Sequence, residues 1–448
     1  MSELIISVSG LRGIVGSTLT PEVVIRYVAA FSSALPAGPV VVTRDGRHTG
    51  PMVARAVQSA LMAAGHTCLD AGIAATPTTG VLVRHHGAVG GIQISASHNP
   101  SEYNGLKLFD RTGRVIPAGP GQQVLDRFTS KSPEWASFDK LGEFRTIEDT
   151  TIAHLAMVAS ICDVERIRRR RFRVLLDANN GSGSVLGVPL LEELGCEITL
   201  LGGDPDGLFG HPPEPTSENL SVVLPLIQQS NADICFCQDP DADRLAVIDE
   251  RGNYLGEEYT LAMCVDHVLR LTPGPVVTNC STSRMTQDLA EKYSVPFFRS
   301  KVGEANVVDL MLAERAIIGG EGNGGAIDPR VGLVRDSFVG MALLLEAMAA
   351  REQPISSLAG ELPSYAIHKS KIEVPAEKVS AALDALESHF SDAMADRLDG
   401  LRLDWQDKWL LIRASNTEPI VRVVAEAPTE DEAAKLCRIS SEAIANLQ

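Results

Sequence analysis

The stretch that decides the fold is GIQISASHNP, residues 91–100. It continues an apolar run over 89–94, which predicts a buried strand, and it ends in small polar residues closed by Asn99-Pro100. The hydroxyl of Ser97 is therefore presented at the end of a strand. A turn of this composition is also a common local hydrogen-bonding motif that stops a strand, so Ser97 alone does not identify a catalytic site.

The same design occurs twice more along the chain. An apolar run over 232–237 leads into QDPDADR, residues 238–244, and another over 316–318 leads into GGEGNGG, residues 319–325. Ligands of α/β sheets bind beyond the carboxyl ends of the strands. Three such junctions therefore predict three similar α/β units that face a common cleft.

The composition limits the class of protein. The chain has 448 residues, of which 44% are hydrophobic and 22% charged, and this predicts a soluble globular protein of about three domains. Its net charge of −17 would repel nucleic acid, and its 5% of aromatic residues offer few base-stacking surfaces. We expect no membrane span and no signal peptide, because no apolar run reaches ~18 residues and the start lacks a basic segment.

The eight cysteines indicate a reducing compartment. They are scattered and form no Cys-x-x-Cys pair. Cys235 and Cys237 are the only close pair, and they lie in a strand-like apolar run, which favours core thiols over zinc ligands. We expect reduced cysteines and a cytoplasmic protein.

Three alternating aspartates, Asp239, Asp241 and Asp243, follow the second apolar run. Within one turn their carboxylates can converge on a single hard cation, and only a cation makes three such close negative charges tolerable. An EF-hand calcium loop is the competing interpretation, since Glu250 stands at its twelfth position. Its sixth position needs glycine, however, and Arg244 stands there. We therefore expect one magnesium ion rather than calcium or a solvated acidic turn.

The order of the predicted strands and helices indicates four domains. Near the start, SGLRGIVG (9–16) follows a short apolar strand and predicts a glycine-flanked turn that contains Arg12, where the backbone can approach a ligand closely; taken alone, the stretch favours a flexible turn with a solvated arginine. A helical pattern over 151–165 and a basic block marks the first boundary, and after Pro363 the βαβ rhythm gives way to mixed strands and helices. We expect α/β domains over 1–150, 151–252 and 253–363, and an α+β domain over 364–448.

Four motifs in this order resemble those of the α-D-phosphohexomutases, the family of phosphomannomutase, phosphoglucomutase and phosphoglucosamine mutase. They are SHNP at 97–100, DPDADR at 239–244, GEGNG at 320–324 and RASNTEP at 413–419. With the arginine near the N-terminus, the resemblance covers residues 10–422. It implies three similar mixed α/β domains plus a smaller C-terminal α+β domain around a central cleft.

The resemblance implies a phosphoserine mechanism. Ser97 would carry a phosphoryl group, and the magnesium ion would bridge it to the three aspartates, so that Ser97 joins them as a metal ligand. Arg12 and Arg244 would neutralise the oxygens of the transferring phosphoryl group. His98 and Lys107 are both candidates to move the proton of the attacking sugar hydroxyl, and the sequence does not rank them.

The later motifs are expected to bind the substrate. The RASNTEP motif offers a forked guanidinium, hydroxyls and an amide, a set suited to a phosphate dianion. In the resembled family this loop grips the phosphate that is not reacting, and the next motif upstream reads the sugar hydroxyls at C3 and C4. The expected substrate-binding residues are Lys301, Glu321, Asn323, Arg413, Ser415, Asn416, Thr417 and Arg422.

The implied function is interconversion of a hexose 6-phosphate and a hexose 1-phosphate through a 1,6-bisphosphate, which is also an expected activator. Asn323 stands where the family commonly has serine, and Gly324-Gly325 replaces Gly-His. This form resembles archaeal-type phosphoglucosamine mutases and favours glucosamine 6-phosphate as substrate. The alternatives are phosphomannomutase or phosphoglucomutase activity, a magnesium-dependent sugar-phosphate phosphatase, and a sugar-phosphate sensor without turnover. Both a monomer and a homodimer remain open.

Overall fold

The computed structural model describes residues 4–130, 132–414 and 420–445. Within these ranges the chain forms four successive units, each built on its own sheet. The first three are mixed parallel and antiparallel sheets with helices, and the last is a smaller antiparallel sheet with two helices. The predicted fold class is confirmed.

The first unit has a seven-stranded sheet in the order β1-β2-β6-β5-β3-β4-β7. The strands are β1 (Ile5–Ser7), β2 (Gly10–Ile14), β3 (Val40–Arg44), β4 (Cys68–Ile73), β5 (Gly90–Ile94), β6 (Tyr103–Asp110) and β7 (Phe144–Thr146). The helices are α1 (Pro21–Ser32), α2 (Gly50–Ala63), α3 (Thr76–His85) and α4 (Ala118–Ser130). Strands β3, β4, β5 and β7 run parallel, whereas β1, β2 and β6 are antiparallel to their neighbours.

The structure corrects one local prediction in this unit. Arg12 was expected in a turn, but it lies in strand β2, where it is in register with Ile5 on one side and Gly105 on the other. A Cβ atom at Gly105 would lie 2.4 Å from the carbonyl oxygen of Leu11. The glycines near Arg12 therefore let strands approach closely rather than form a turn.

The second unit has a four-stranded sheet in the order β11-β10-β8-β9. Its strands are β8 (Arg173–Asp177), β9 (Glu197–Leu201), β10 (Ile234–Gln238) and β11 (Leu245–Asp249). Its helices are α5 (Ile152–Ser160), α6 (Val164–Arg170), α7 (Gly183–Glu193) and α8 (Leu224–Ser230). All five residues of β10 are buried, as the apolar run predicted.

The third unit has a four-stranded sheet in the order β13-β12-β14-β15. Its strands are β12 (Val276–Asn279), β13 (Phe297–Ser300), β14 (Ile318–Glu321) and β15 (Gly325–Ile327). Its helices are α9 (Glu257–Leu271), α10 (Met285–Lys292), α11 (Glu304–Glu314), α12 (Ser337–Arg351) and α13 (Ile355–Gly360).

The fourth unit has five antiparallel strands in the order β16-β20-β19-β18-β17. They are β16 (Ala366–Glu373), β17 (Met394–Asp396), β18 (Leu401–Asp404), β19 (Trp409–Ala414) and β20 (Ile420–Ala427), and the helices are α14 (Val379–His389) and α15 (Glu430–Ala445). Single 3-10 turns occur in the first, second and fourth units at Phe138–Lys140, Asn219–Val222 and Ala376–Lys378.

The first three units repeat one arrangement at their centres. In each, a buried strand ends in a polar loop and the chain returns as an antiparallel neighbour: β5 to β6, β10 to β11, and β14 to β15. The loop after β5 holds Ser97, the loop after β10 holds the three aspartates, and Glu321 ends β14. The return strand β11 begins at Leu245, where an EF-hand would still be in its calcium loop, so the aspartate loop has a different backbone.

Packing between the units holds these loops together. Buried apolar side chains of the second and third units, among them Phe236 and Phe338, belong to one hydrophobic core. A buried hydrogen-bonded chain connects the first unit to them, because His154 contacts Thr78 Oγ1 at 2.9 Å and Asp336 Oδ2 at 2.7 Å. In the described ranges no helix is long and apolar enough to cross a membrane. All eight cysteines are free thiols.

Candidate active site

Ser97 is at the centre of the site. It lies three residues beyond β5, is 2% exposed, and has a φ of 49°, a left-handed conformation that is uncommon outside glycine. Its hydroxyl donates a hydrogen bond to Asp239 Oδ2 at 2.7 Å. The Nδ1 atom of His98 is 3.4 Å from the same hydroxyl. The loops after β5 and β10 therefore meet, as the strand-end argument predicted.

Arg47 fixes the backbone of the serine loop, and the sequence analysis did not identify it. Its guanidinium is 1% exposed and donates to the carbonyl oxygens of Ser97 (2.5 Å), Asn99 (2.7 Å), Pro100 (2.7 Å) and Tyr103 (3.0 Å). Its Nε donates to Asp45 Oδ2 at 3.1 Å. We call this set of contacts the Arg47 clamp.

The clamp extends to the amide of Ser97 through a second buried serine. Asp45 Oδ2 also accepts from Ser95 Oγ at 2.6 Å, and Ser95 Oγ accepts from the amide of Ser97 at 2.8 Å. Burial raises the pKa of Asp45 to about 6, although Arg47 and the Ser95 hydroxyl act in the opposite direction. Ser97 is therefore held on both sides in its left-handed conformation: Arg47 binds its carbonyl oxygen, and Ser95 Oγ binds its amide.

The three aspartates form a site suited to a hard cation. Asp239, Asp241 and Asp243 are fully buried, and one carboxylate oxygen of each lies within 4.8 Å of the others. Thr76 Oγ1 of the first unit donates to Asp241 Oδ2 at 2.6 Å, which fixes that carboxylate. Among the described residues, the Oδ1 atoms of Asp241 and Asp243 are buried and have no hydrogen-bond partner. Carboxylate oxygens are ligands of hard cations such as magnesium, so the donor set fits this ion.

Two cations partly balance the aspartates. Lys107 Nζ, on strand β6, is 2.7 Å from Asp243 Oδ2 and 3.3 Å from Asp241 Oδ2. Arg335 Nη2 is 2.6 Å from Asp243 Oδ2. Burial alone would raise the pKa of Asp243, but these two cations outweigh it and hold the pKa below its usual range. Burial and the neighbouring Asp241 raise the pKa of Asp239 well above its usual range.

Lys107 and His98 differ in charge: the first is a cation and the second is neutral. Burial would lower the pKa of Lys107, yet Asp243 and Asp241 outweigh it and raise the pKa, so the ammonium is retained. Burial lowers the pKa of His98 to about 2, and the nearby Arg244 and Arg12 act in the same direction. His98 is therefore a neutral imidazole at physiological pH.

Arg12 and Arg244, the two arginines expected near Ser97, lie beside the loops after β5 and β10. Arg12 Nη1 donates to Asn99 Oδ1 at 3.3 Å. The amide of Arg244 donates to Asp239 Oδ1 at 3.1 Å, and its Nη1 is 3.5 Å from Glu214 Oε1. The Nε of Arg244 is buried and has no hydrogen-bond partner in the part of the chain that the structure describes. Both guanidinium groups thus lie where they could donate to an anion bound near Ser97.

Arg335 connects the aspartate loop to the expected sugar loop, and it too was missed. Besides Asp243, its Nη1 contacts Glu321 Oε2 at 2.9 Å, and its Nε is 3.6 Å from Glu304 Oε2. Glu321 Oε1 accepts from Asn279 Nδ2 at 2.7 Å and from the Gly303 amide at 3.1 Å.

Asn323, two residues beyond Glu321, differs from it. Its Oδ1 atom is buried and has no hydrogen-bond partner within residues 4–130, 132–414 and 420–445. Contacts with the protein therefore hold the carboxylate of Glu321, whereas Asn323 Oδ1 is an unpaired acceptor among the described residues.

The fourth unit brings Arg413 towards the third. Arg413 Nε is 2.8 Å from Asp399 Oδ2, which also accepts from the Val302 amide at 3.0 Å. Lys301 is exposed just beyond β13, and Arg422 is exposed on β20 opposite Arg413. The remaining predicted phosphate ligands, Ser415, Asn416 and Thr417, lie outside the described residues. The substrate-binding assignments of this group stay predictions.

The sequence matches four domains of one family, in order. They are described as phosphoglucomutase/phosphomannomutase alpha/beta/alpha domain I over 4–134, domain II over 153–252, domain III over 256–365, and the C-terminal domain over 371–440.

Similar proteins carry related names. A Thermococcus kodakarensis protein named phosphoglucomutase/phosphomannomutase is 36% identical over 432 residues, which cover 95% of this chain and 94% of the relative. A Methanopyrus kandleri protein named as a probable phosphoglucosamine mutase is 33% identical, with 96% and 95% covered. A crystal structure of a Burkholderia thailandensis phosphoglucomutase/phosphomannomutase family protein is 27% identical, with a TM-score of 0.82 and 98% of both chains covered. The chain thus belongs to the phosphoglucomutase/phosphomannomutase family.

Proposed function

We propose that this chain interconverts a hexose 6-phosphate and a hexose 1-phosphate, with Ser97 as the phosphoryl carrier and glucosamine 6-phosphate as the preferred substrate. The observation that carries the proposal is the 2.7 Å hydrogen bond between the Ser97 hydroxyl and Asp239 in the three-aspartate cluster. Membership of the family and relatives named as mutases make the chain an isomerase of the phosphohexomutase kind.

Three aspartates and a serine suit phosphoryl transfer. Asp239, Asp241 and Asp243 would hold one magnesium ion next to the phosphoryl group of Ser97, and such an ion neutralises phosphoryl oxygens. Arg12 and Arg244 would donate to the same oxygens from the other loops. Phosphoryl transfer needs groups that position the reactants and neutralise charge rather than further covalent catalysis. The serine, the three aspartates with their ion and the two arginines would supply both.

The proposed cycle has two transfers. In the first, the bond between phosphorus and Ser97 Oγ breaks as a bond forms from phosphorus to a sugar hydroxyl oxygen, whose proton passes to a base. The resulting 1,6-bisphosphate turns within the cleft, and its other phosphoryl group returns to Ser97 by the reverse chemistry. Added hexose 1,6-bisphosphate would phosphorylate Ser97 directly and so act as the activator.

Two groups remain candidates for the base. His98 lies 3.4 Å from the Ser97 hydroxyl and is a neutral imidazole, as a proton acceptor must be. Lys107 is an ammonium paired with two aspartates, a state suited to holding phosphoryl oxygens. A magnesium ion would compete for those aspartates, so both assignments stay open.

The choice of substrate depends on the third and fourth units. Glu321 and Asn323 would contact the sugar hydroxyls, while Arg413 and the loop that follows it would hold the distant phosphate. A remote grip of this kind converts binding energy into positioning. The names of the relatives include both phosphoglucosamine mutase and phosphoglucomutase/phosphomannomutase, and the Asn323 form of the loop favours the first.

A ³¹P NMR time course tests the proposal. We would add magnesium and a trace of glucose 1,6-bisphosphate to glucosamine 6-phosphate, glucose 6-phosphate or mannose 6-phosphate. A 1-phosphate signal that grows fastest from the amino sugar is expected. Faster conversion of a neutral sugar would contradict the substrate and leave the mechanism standing, and release of free phosphate would instead indicate a phosphatase.

A matched pair of variants tests the carrier. Ser97→Ala removes the hydroxyl and is expected to abolish turnover. Ser101→Ala, an exposed position in the same loop, is the control and is expected to retain it. Near-normal turnover by Ser97→Ala would refute the phosphoserine mechanism.

A further inference from the structure

A cavity of about 490 Å³ adjoins the expected sugar loop, residues 320–324. Its lining residues come from the second, third and fourth units. Gly322, which stands between Glu321 and Asn323, is one of them. The cavity is therefore next to the residues that we propose bind the sugar.

The wall of this cavity carries more acidic than basic side chains. Three glutamates line it, Glu257, Glu258 and Glu426, against one lysine, Lys369, and one histidine, His368. A cavity with this balance of charge favours a ligand that carries a positive charge.

The three glutamates differ in how far the protein already binds them. Glu258 Oε2 accepts from the Ser283 amide at 3.0 Å, and Glu426 Oε1 accepts from Trp409 Nε1 at 2.7 Å. Among the described residues, Glu257 Oε1 and Glu426 Oε2 are buried and have no hydrogen-bond partner. Glu426 is 0% exposed as a whole, whereas Glu257 is half-buried. Glu257 is therefore the carboxylate that a ligand in the cavity can best reach.

Glu257 lies close to both loops of the proposed reaction. It begins α9, and its neighbour Glu258 packs against the sugar loop so closely that a Cβ atom at Gly322 would clash with Glu258 Oε1. Burial raises the pKa of Glu257, although the guanidinium of Arg244 acts in the opposite direction. A bound cation would favour the charged carboxylate further.

We propose that Glu257 binds the ammonium group of glucosamine 6-phosphate and thereby selects this sugar over glucose 6-phosphate. The inference rests on the proposed function. Glucosamine carries at C2 an amino group that is protonated at neutral pH, where glucose carries a hydroxyl, so only the amino sugar forms a charge-assisted hydrogen bond with a carboxylate. Glu321 is less suited to this contact, because its two oxygens already accept three hydrogen bonds from the protein.

The ratio of kcat/KM for glucosamine 6-phosphate to that for glucose 6-phosphate tests this assignment, because the two substrates differ only at C2. Glu257→Gln removes the charge and keeps the size, and we expect it to lower the ratio about tenfold or more by slowing the amino sugar alone. Glu22→Gln is the matched control, since Glu22 is an exposed glutamate in the first turn of α1, and it should leave the ratio unchanged.

Binding without turnover provides a second readout. In a Ser97→Ala background, titration calorimetry gives the dissociation constants of both sugar phosphates with and without Glu257→Gln. We expect the variant to weaken binding of glucosamine 6-phosphate selectively, about tenfold or more. Thermal unfolding checks that the chain remains folded. If Glu257→Gln does not fold, Glu257→Asp keeps the charge, withdraws it by one CH₂ group, and should lower the same ratio by a smaller factor.

The possible outcomes separate this inference from the proposed function. A wild type that prefers glucosamine 6-phosphate and a Glu257→Gln variant that keeps this preference would overturn the inference and leave the proposed function standing. Equal losses for both sugars would also overturn it, because Glu257 would then only support the shape of the site. Absence of turnover with every hexose phosphate would instead refute the proposed function, and the calorimetry would still decide whether Glu257 binds the ammonium group.

Discussion

We predict that replacing Arg47 by lysine lowers both the stability of the protein and its turnover, because the guanidinium of Arg47 holds the serine loop. The arginine makes five hydrogen bonds, four to loop carbonyls and one to Asp45. Lysine retains the charge but has three donors on a single nitrogen, so at least two of the five acceptors lose their partner. The variant therefore tests the forked geometry rather than the charge.

The size of the effect follows from burial. Arg47 is 1% exposed, but Asn99, Pro100 and Tyr103 are half-buried or exposed, so water can replace a hydrogen bond lost there and each loss costs about 0.5–1.5 kcal/mol. Two such losses predict that the free energy of unfolding falls by about 1–3 kcal/mol, against the about 5–15 kcal/mol of an ordinary domain. The loop would also loosen around Ser97, and a displacement of about 1 Å at a reacting group costs about a hundredfold in rate.

Two measurements on the same protein check this prediction. Urea unfolding gives the change in stability, and mutase turnover well below the unfolding transition gives the change in rate. Arg44→Lys is the matched control, because Arg44 makes one backbone hydrogen bond at 3.4 Å, and we expect a change of less than about 0.5 kcal/mol. If Arg47→Lys matched the wild type in both stability and turnover, the clamp would have no role in holding Ser97.

Three further results are expected. Arg335→Gln, which leaves buried carboxylates without their shared cation, should lower the free energy of unfolding by about 3–5 kcal/mol in urea, whereas Arg397→Gln at an exposed ion pair should change it by less than about 1 kcal/mol. A chelator should abolish turnover and added magnesium restore it, and Asp241→Asn should raise the magnesium concentration for half-maximal rate by at least about tenfold. Because the pKa of His98 is lowered from 6.5 to about 2, His98 should contribute a loss of about 1.7 kcal/mol to the stability of the metal-free, unphosphorylated protein as the pH falls from 6.5 to 5, and the difference in urea unfolding between the wild type and His98→Gln at the two pH values measures it.

The sequence predicted the parts of the site that are local. A fully buried strand followed by a polar turn is visible in the composition of β5 and β10, so the meeting of Ser97 with Asp239 followed from the general position of ligands in α/β sheets. The alternation of the three aspartates likewise predicted a cation site. In both cases each sequence pattern that carries the prediction spans only about ten residues.

The parts that depend on distant partners could not be predicted. Arg47 is separated from Ser97 by 50 positions, and Arg335 from Asp243 by 92, so neither arginine differs locally from a solvated surface residue. The turn expected around Arg12 was wrong because the glycines beside it serve close strand packing. Strands β17 and β18 were not predicted, since they are short and contain charged residues; β18 is held by its pairing with β19, and β17 by its pairing with β18.

Glu321 and Asn323, in the expected sugar loop, differ in how strongly the rest of the protein constrains them. Changing Glu321 would disturb Asn279, Gly303 and Arg335 together, and through Arg335 the aspartate loop. Changing Asn323 breaks no side-chain hydrogen bond at Oδ1, because that atom has no partner within the described part of the chain. If Asn323 contacts the sugar as proposed, a substitution at position 323 would change the sugar preference at a smaller cost in hydrogen bonds than one at Glu321, and a lineage could change its substrate while the proposed phosphoryl chemistry is inherited intact.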